Sequence, residues 1–136
     1  MIDELFGNWL AGFIDGEGCF SCTLQRGSLN FRFKISLRAD DVEVLNYIKN
    51  NLGCGKVVFE GHIRKSIPKM HPQYKFTLYS REDRQKLIDL LEVCPLRSKK
   101  KKDFEVWRQL HFLDKHSENK NILVNRLKEV RQYSMN

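Results

Sequence analysis

The sequence predicts an α+β protein whose helices and strands follow the order αββαββα, with C-terminal helices after them. Apolar residues recur at helical spacing over residues 4–15, and strict apolar–polar alternation replaces that spacing immediately afterwards. The same change of period occurs again downstream, and no linker-like segment separates the two halves. We therefore expect one domain over residues 1–136, with its core at about 5–114 and a helical tail at 115–136.

The first helix and the first strand pair are the clearest elements. The helix is expected to stop at Gly16 and Gly18, after which CFSCTLQR and SLNFRFKISL each alternate between apolar and polar residues. The tripeptide RGS between them is a hairpin turn signal. These segments predict a helix that leads directly into a β-hairpin.

The second half repeats this plan. Asp40 and Glu43 have the spacing of a capping box before a helix that Gly53 ends. A second strand pair follows in CGKVVFEGHIRK and QYKFTLYS, and Ser80 is placed to cap the next helix, which reaches about Val93. Two more helices are predicted, in SKKKKDFEVWRQLHFLDK and from about Ile122 to Tyr133.

Charge and composition restrict the class of protein. The formal charge of +7 and the isoelectric point near 9.3 favour a polyanionic partner. No apolar run approaches the roughly 20 residues that span a bilayer, and the acidic N-terminus does not resemble a signal peptide. We expect an intracellular protein with no membrane partner.

The spacing of Cys19 and Cys22 raises the question of a zinc site. No second pair follows at finger spacing, and residues three apart on a strand point to opposite faces. Free thiols in a reducing compartment are the better interpretation.

Two acids, Asp15 and Glu17, lie where the first helix ends. Carboxylates there face the negative end of the helix dipole, which is normally unfavourable by a few tenths of a kcal/mol, roughly. A basic protein that places two acids at this point needs a compensating partner, and a divalent cation is one candidate.

Residues 10–18, LAGFIDGEG, closely resemble the LAGLIDADG motif of homing endonucleases and differ from it at Phe13, Gly16 and Glu17. Two later segments resemble the same family in the same order, FKISLRADDVEVLNYIKNNLGCGKV and PLRSKKKKDFEVW. The resemblance covers roughly residues 5–114. It implies a curved antiparallel DNA-binding sheet backed by helices, and a site-specific endonuclease that cuts both DNA strands by metal-dependent phosphodiester hydrolysis.

The resemblance also implies roles for individual residues. Glu17 matches the acidic position whose carboxylate binds the catalytic Mg²⁺, and the carbonyl of Gly16 is a second potential ligand. A hard oxygen donor suits Mg²⁺. Asp15 is expected to fix the end of the helix and the neighbouring backbone rather than to bind the metal. Lys99 and Lys100 each match a family pattern for the active-site lysine, and both remain candidates for that role.

The family packs two motif helices side by side, and this sequence contains one copy of the motif. The resemblance therefore implies a homodimer with an interface at Leu10, Ala11, Gly12 and Phe13. Small residues at Ala11 and Gly12 would allow the two backbones to approach closely.

Strand parity predicts the DNA-binding face. One set of alternate positions is apolar and is expected to face the helices: Phe20, Phe31, Phe33, Ile35, Val57, Phe59, Phe76 and Leu78. The opposite set is polar and basic, and is expected to contact double-stranded DNA: Ser21, Thr23, Gln25, Asn30, Arg32, Lys34, Ser36, Lys56, Val58, Glu60, Lys75, Thr77 and Tyr79. The alternative is a plain solvated sheet surface.

Two other functions stay open at this stage. Members of the family also assist intron splicing, so intron RNA is an alternative partner and an RNA maturase an alternative function. Leu37 occupies a position where relatives often carry a polar residue that orders the nucleophilic water. Ser36 or Arg38 could replace it, or the protein is a catalytically weak DNA-binding protein. The compartment, an organelle (mitochondrion or chloroplast) or a bacterial cytoplasm, is also left open.

Overall fold

The computed structural model describes residues 2–61 and 71–132 and confirms the predicted α+β class and element order. In chain order, the elements are α1 (Glu4–Glu17), β1 (Gly18–Gln25), β2 (Ser28–Arg38), a short 3₁₀ turn (Ala39–Asp41), α2 (Val42–Leu52), β3 (Lys56–Gly61), β4 (Gln73–Thr77), α3 (Arg81–Val93), α4 (Lys100–Phe112) and α5 (Lys120–Arg131). The last predicted residues of the third strand (62–65) and the end of the final helix (Tyr133) lie outside the described residues.

The four strands form one antiparallel sheet in the order β1-β2-β4-β3. Arg26 and Gly27 turn β1 into β2 with positive φ values of 52° and 79°, which is the backbone that a tight hairpin with twisted strands requires. Phe33 in β2 lies opposite Phe20 in β1. The predicted hairpin is therefore confirmed.

The first helix is longer than predicted. Gly16 lies inside α1, which continues to Glu17 and is ended by Gly18 in an extended conformation. A Cβ at position 18 would lie 2.7 Å from a methyl carbon of Ile14, so β1 can leave the helix at this angle only with glycine there. At the other end, the side chain of Asp3 accepts hydrogen bonds from two backbone amides and caps the helix.

The helix caps were predicted with mixed success. Ser80 caps α3 as expected, accepting a hydrogen bond of 3.1 Å from the amide of Asp83. Gly53 ends α2 with a left-handed φ of 79°. The capping box at Asp40 was wrong: residues 39–41 form a 3₁₀ turn instead, and α2 begins without a side-chain cap.

The hydrophobic core is centred on Trp107 of α4, which is fully buried. Its ring packs against Phe20 and Phe31, with centroids 5.2 and 5.9 Å away, and its indole N–H donates to the carbonyl of Ser21 at 3.2 Å. Val124 and Leu127 of α5 are buried in the same cluster. The predicted tail is thus an integral part of the core.

Two of the residues predicted to face the helices differ in how far they are buried. Phe76 is fully buried, as predicted, but Phe59 is 54% exposed. The ring of Phe59 packs on Tyr74, with centroids 5.2 Å apart, at an end of the sheet that the helices do not cover.

Every helix in the described ranges falls short of the length and apolar character that a membrane span needs.

A buried histidine joins α3 to α4. Arg84 donates to Nδ1 of His111 at 3.2 Å, so the ring proton lies on Nε2, which is 2.9 Å from the side-chain oxygen of Gln85. Burial, together with the charges of Arg81 and Arg84, lowers the pKa of His111 from 6.5 to about 4, although Asp89 opposes this. The folded protein therefore holds this histidine neutral.

We expect the free energy of unfolding to fall as the solution is acidified from about pH 6.5 towards pH 4. The unfolded chain binds a proton at His111 first, so the stabilisation is complete above pH 6.5 and is lost as pH falls through the folded pKa, by about 3 kcal/mol. Urea unfolding across this range measures the effect. His111→Gln should flatten the pH dependence, whereas His116→Gln, at an exposed histidine, should leave it unchanged.

Candidate active site and nucleic-acid interface

Glu17 is the last residue of α1, and its side chain is exposed where the chain enters β1. Its carboxylate has no hydrogen bond or ion pair with any residue in the described ranges. The carbonyl of Gly16 belongs to the same final turn, whose carbonyls lack partners within the helix. The unpaired carboxylate of Glu17 and the carbonyl of Gly16 therefore lie close together at the surface.

Asp15, by contrast, is fully engaged in holding the backbone before α4. Its carboxylate accepts hydrogen bonds from the amide of Arg97 at 3.0 Å and from the amide and hydroxyl of Ser98 at 2.9 and 2.7 Å. Burial by itself raises the pKa of Asp15, but these bonds and the charge of Lys100 outweigh it and lower the pKa below its usual value. This geometry agrees with the expected role of holding the helix end.

The two candidate lysines differ in their surroundings. The ammonium of Lys99 donates to the carbonyl of Val130 in α5 and lies 3.8 Å from the carboxylate of Asp103. Lys100 lies within electrostatic range of Asp15, at the end of α1. The structure thus directs Lys99 towards α5 and places Lys100 beside the motif helix.

Asp103 is a buried acid that sequence reasoning missed. It is 8% exposed, and its Oδ1 has no hydrogen-bond partner among the described residues. Burial raises its pKa, while the charges of Lys99, Arg131 and Lys100 act in the opposite direction. Its position on α4 gave a signal only for helix spacing, because burial and the approach of Arg131 from α5 are set by tertiary packing.

The oxygen donors at Glu17 suit a hard divalent cation. The described residues contain no group of three or more His, Cys, Asp or Glu side chains that could hold an ion. All four cysteines are free, and Cys22 is buried while Cys19 is half-buried. Mg²⁺ does not need an all-protein cage, since it usually keeps several waters and takes one or two carboxylates plus substrate phosphates. Glu17 with the Gly16 carbonyl fits that requirement.

The face of the sheet that lies away from the helices carries the predicted polar residues. Arg32 lies opposite Ser21, Asn30 opposite Thr23, and Lys75 opposite both Ser36 and Val58. Directly opposed residues share a face, so the predicted parity is confirmed. A groove of about 610 Å³ runs over this face, and Lys34, Tyr79 and Arg131 also line it. Arg131 was missed because it reaches the sheet from α5.

Two predicted contacts on this face are altered by packing. Thr77 has the expected parity but is only 8% exposed, because it lies between Lys34 and Lys56 on the neighbouring strands; as an accessible DNA contact it was wrong. Glu60 lies at a bulge of β3, where it accepts a 2.6 Å hydrogen bond from Ser36 and pairs with Lys34 at 3.9 Å. Glu60 therefore holds Ser36 and Lys34 in position on this face and does not project from it as a free DNA contact.

Leu37 lies on the opposite face, where it packs against the core. The two residues that could replace the missing polar group have other partners. Ser36 donates to Glu60, and Arg38 pairs with Asp40 at 3.7 Å.

The exposed face of α1 differs from the predicted interface. Leu10 and Ala11 are 1% and 3% exposed in the core of this chain, so their assignment to a dimer interface was wrong. Gly12 is exposed, and a Cβ there would meet no atom within 4 Å. The same holds for Gly16 one turn later.

Aromatic and aliphatic side chains extend this face beyond the motif. Leu5 is 88% exposed and Trp9 is 40% exposed, at positions that continue the spacing of Gly12 and Gly16 along one side of the helix. The half-buried ring of Phe13 stacks on Trp9 at 5.2 Å. We call Leu5, Trp9, Gly12, Phe13 and Gly16 the open face of α1.

The family model for LAGLIDADG endonucleases matches residues 10–111 of this chain. The chain belongs to this family. The matched range begins in α1 and ends in α4, so it contains Glu17, the sheet and both candidate lysines, while α5 lies outside it.

Similarity to individual proteins supports the assignment of this chain to the LAGLIDADG family. The chain is 29% identical to the probable intron-encoded endonuclease Cox1-I1b of Schizosaccharomyces pombe over 143 residues, covering 95% of this chain but only 35% of that protein. It is also similar to the LAGLIDADG meganuclease I-AabMI, solved bound to uncleaved DNA, with 31% identity, a TM-score of 0.71, and coverage of 92% of this chain and 43% of the other.

The archaeal intron-encoded homing endonuclease I-Vdi141I, solved in complex with DNA, shares the fold. Its TM-score is 0.72 at 23% identity, and the match covers 97% of this chain and 89% of that one. The chain therefore spans less than half of I-AabMI and nearly all of I-Vdi141I.

Proposed function

We propose that this chain is a site-specific, Mg²⁺-dependent homing endonuclease that cuts both strands of DNA as a homodimer. The observation that best supports this proposal is the exposed, unpaired carboxylate of Glu17, at the point where α1 leads into β1 of the sheet. A carboxylate at a helix C-terminus is electrostatically unfavourable, and a bound cation would compensate for it.

Glu17 and the Gly16 carbonyl would hold the Mg²⁺, which supplies positive charge to the phosphate that is attacked. Lys100 is the better placed of the two lysines to stabilise charge that develops there, because Lys99 is directed towards α5. Asp15 is a positioning residue: its bonds to Arg97 and Ser98 fix the start of α4 against the end of α1.

DNA would lie along the groove of the sheet. Arg, Lys, Asn and Gln side chains pair with base edges in the major groove, and all four types occur on this face. The relative with 31% identity was solved with DNA bound, which supports the same class of partner here.

A homodimer would supply the second active site. The described residues contain one helix of the α1 type, and the match to nearly the full length of I-Vdi141I shows that a protein of about this size forms a family fold. Two open faces packed about a twofold axis would place two Glu17 residues near that axis. Such an isologous pair should prefer a target of approximate twofold symmetry.

A catalytically weak DNA-binding protein is the second candidate, because Leu37 is apolar and both Ser36 and Arg38 have other partners. Incubation with DNA that joins the sequences flanking the gene, in Mg²⁺ or in excess chelator, separates the two functions. The endonuclease should produce double-strand breaks only with Mg²⁺. Tight binding without cuts would favour the second candidate.

We expect Arg32→Ala to weaken DNA binding about tenfold and to lower the slope of log affinity against log salt by roughly one if the side chain contacts a phosphate. Lys34→Ala should have a smaller effect, because Lys34 already pairs with Glu60. Fluorescence anisotropy at several salt concentrations measures both. Lys49→Ala, at an exposed lysine of α2, is the matched control. Equal affinity for all variants would show that DNA binds elsewhere.

A further inference from the structure

A second cavity, of about 510 Å³, lies at the far end of the hairpin from Glu17. The hairpin turn, the start of α3, the end of α4 and the connection to α5 enclose it. Four arginine and lysine side chains and two histidines line it: Arg26, Arg81, Lys115, Lys120, His111 and His116. Its volume lies within the roughly 300 to 1,000 Å³ typical of small-molecule sites.

The charge of this cavity is uncompensated. None of its lining residues is a carboxylate, and none of its arginines or lysines forms an ion pair within residues 2–61 and 71–132. Four arginine and lysine side chains thus converge on one concave site whose lining contains no carboxylate. That concentration of positive charge favours an anionic ligand.

Two of the cations are held in place by the fold. Lys120 donates to the carbonyl of Gly27 at 2.8 Å, and Arg81 donates to the carbonyl of His111 at 2.9 Å. An ammonium has three donors and a guanidinium five, so each keeps unused donors after making its one bond. These two side chains are therefore positioned in advance of any ligand.

Besides Gly27, Ser28 and His111, the remaining lining is apolar. Leu29 and Phe31 come from β2, and Leu110 and Leu113 come from α4 and its end. A simple anion would leave this surface uncovered, whereas a ligand with a flat ring and a phosphate would use both parts of the site.

We propose that this cavity binds a nucleotide, with its phosphate at the basic residues and its base on the apolar lining. The ligand is a free nucleotide or the 5′-phosphorylated end of a single strand, which present the same chemistry. The site lies on the helix side of the sheet, because Leu29 and Phe31 belong to the inward-facing set. Its lining shares only Phe31 with the groove assigned to duplex DNA.

The titration of neighbouring groups agrees with a positive potential here. Burial and the charge of Arg81 lower the pKa of Arg84, and the same arginines contribute to the low pKa of His111. A bound phosphate would offset this repulsion between cations.

Isothermal titration calorimetry with AMP, adenosine and inorganic phosphate tests the proposal. We expect AMP to bind at least about tenfold more tightly than either fragment, because it alone fills both parts of the cavity. Lys120→Gln and Lys115→Gln should each weaken AMP binding about tenfold through the loss of one charge-assisted contact. Lys128→Gln, an exposed lysine of α5 outside the cavity, should have no effect.

AMP that binds no better than phosphate, or cavity variants that behave like Lys128→Gln, would overturn the assignment. A single-stranded oligonucleotide with and without a 5′-phosphate identifies the source: binding that the 5′-phosphate strengthens and that Lys120→Gln weakens indicates a strand end, and equal binding of both forms indicates a free nucleotide. Glu17→Gln should bind AMP normally, so failure of the nuclease function and failure of this site can be told apart.

Discussion

Replacing Glu17 with glutamine should reduce DNA cleavage on the order of a thousandfold or more while leaving DNA affinity nearly unchanged. The amide preserves the size of the side chain but removes the charge that would hold Mg²⁺. Because Glu17 is exposed and forms no hydrogen bond or ion pair among the described residues, the change should not disturb folding. Binding would be unaffected since the sheet residues stay in place.

Cleavage of a linear duplex and anisotropy with the same DNA measure the two properties separately. Glu105→Gln makes the same chemical change at an exposed position of α4 and is the matched control. Magnesium titration adds a direct readout, because the wild-type protein should saturate at a concentration where the Glu17 variant does not. Wild-type cleavage by the Glu17→Gln protein would remove Glu17 from the proposed site.

Gly12→Leu should abolish double-strand cutting by preventing the association of two chains. In one chain a Cβ at position 12 meets nothing within 4 Å, so the fold itself has room for the leucine. Leucine also favours a helix over glycine by roughly 0.7 to 1 kcal/mol, so the monomer should be slightly stabilised. Between two open faces, however, the same side chain would separate backbones that must pack closely.

Light scattering and thermal unfolding distinguish these effects. The variant should have half the mass of the wild-type particle and an equal or higher melting temperature. Gln109→Leu introduces leucine at an exposed position of α4 and should leave both mass and activity unchanged. A Gly12→Leu protein that remains a dimer and cuts both strands would place the interface on another surface.

The fold was largely predictable because each element has a local cause. Alternation in β1 and β2, the hairpin at Arg26 and Gly27, and the cap at Ser80 all depend on residues near in sequence. The end of α1 was misplaced by two residues because a glycine such as Gly16 is tolerated in the last turn of a helix at a cost of only about 1 kcal/mol. The exit at Gly18 is set by contact with Ile14, a steric limit that composition does not reveal.

The sequence by itself determined the family, the α+β class, the polar face of the sheet and the position of Glu17 at a helix end, because periodicity and one contiguous motif carry them. Only the tertiary structure decided which motif residues are accessible. Leu10 and Ala11 belong to the core, whereas Leu5, Trp9 and Gly12 form the open face, since the side of a helix that is covered depends on its neighbours. It also decided that Asp15 is occupied by Arg97 and Ser98, and that Arg81 and Lys120 line one cavity. These contacts join residues far apart in the chain, and local patterns do not specify such distances.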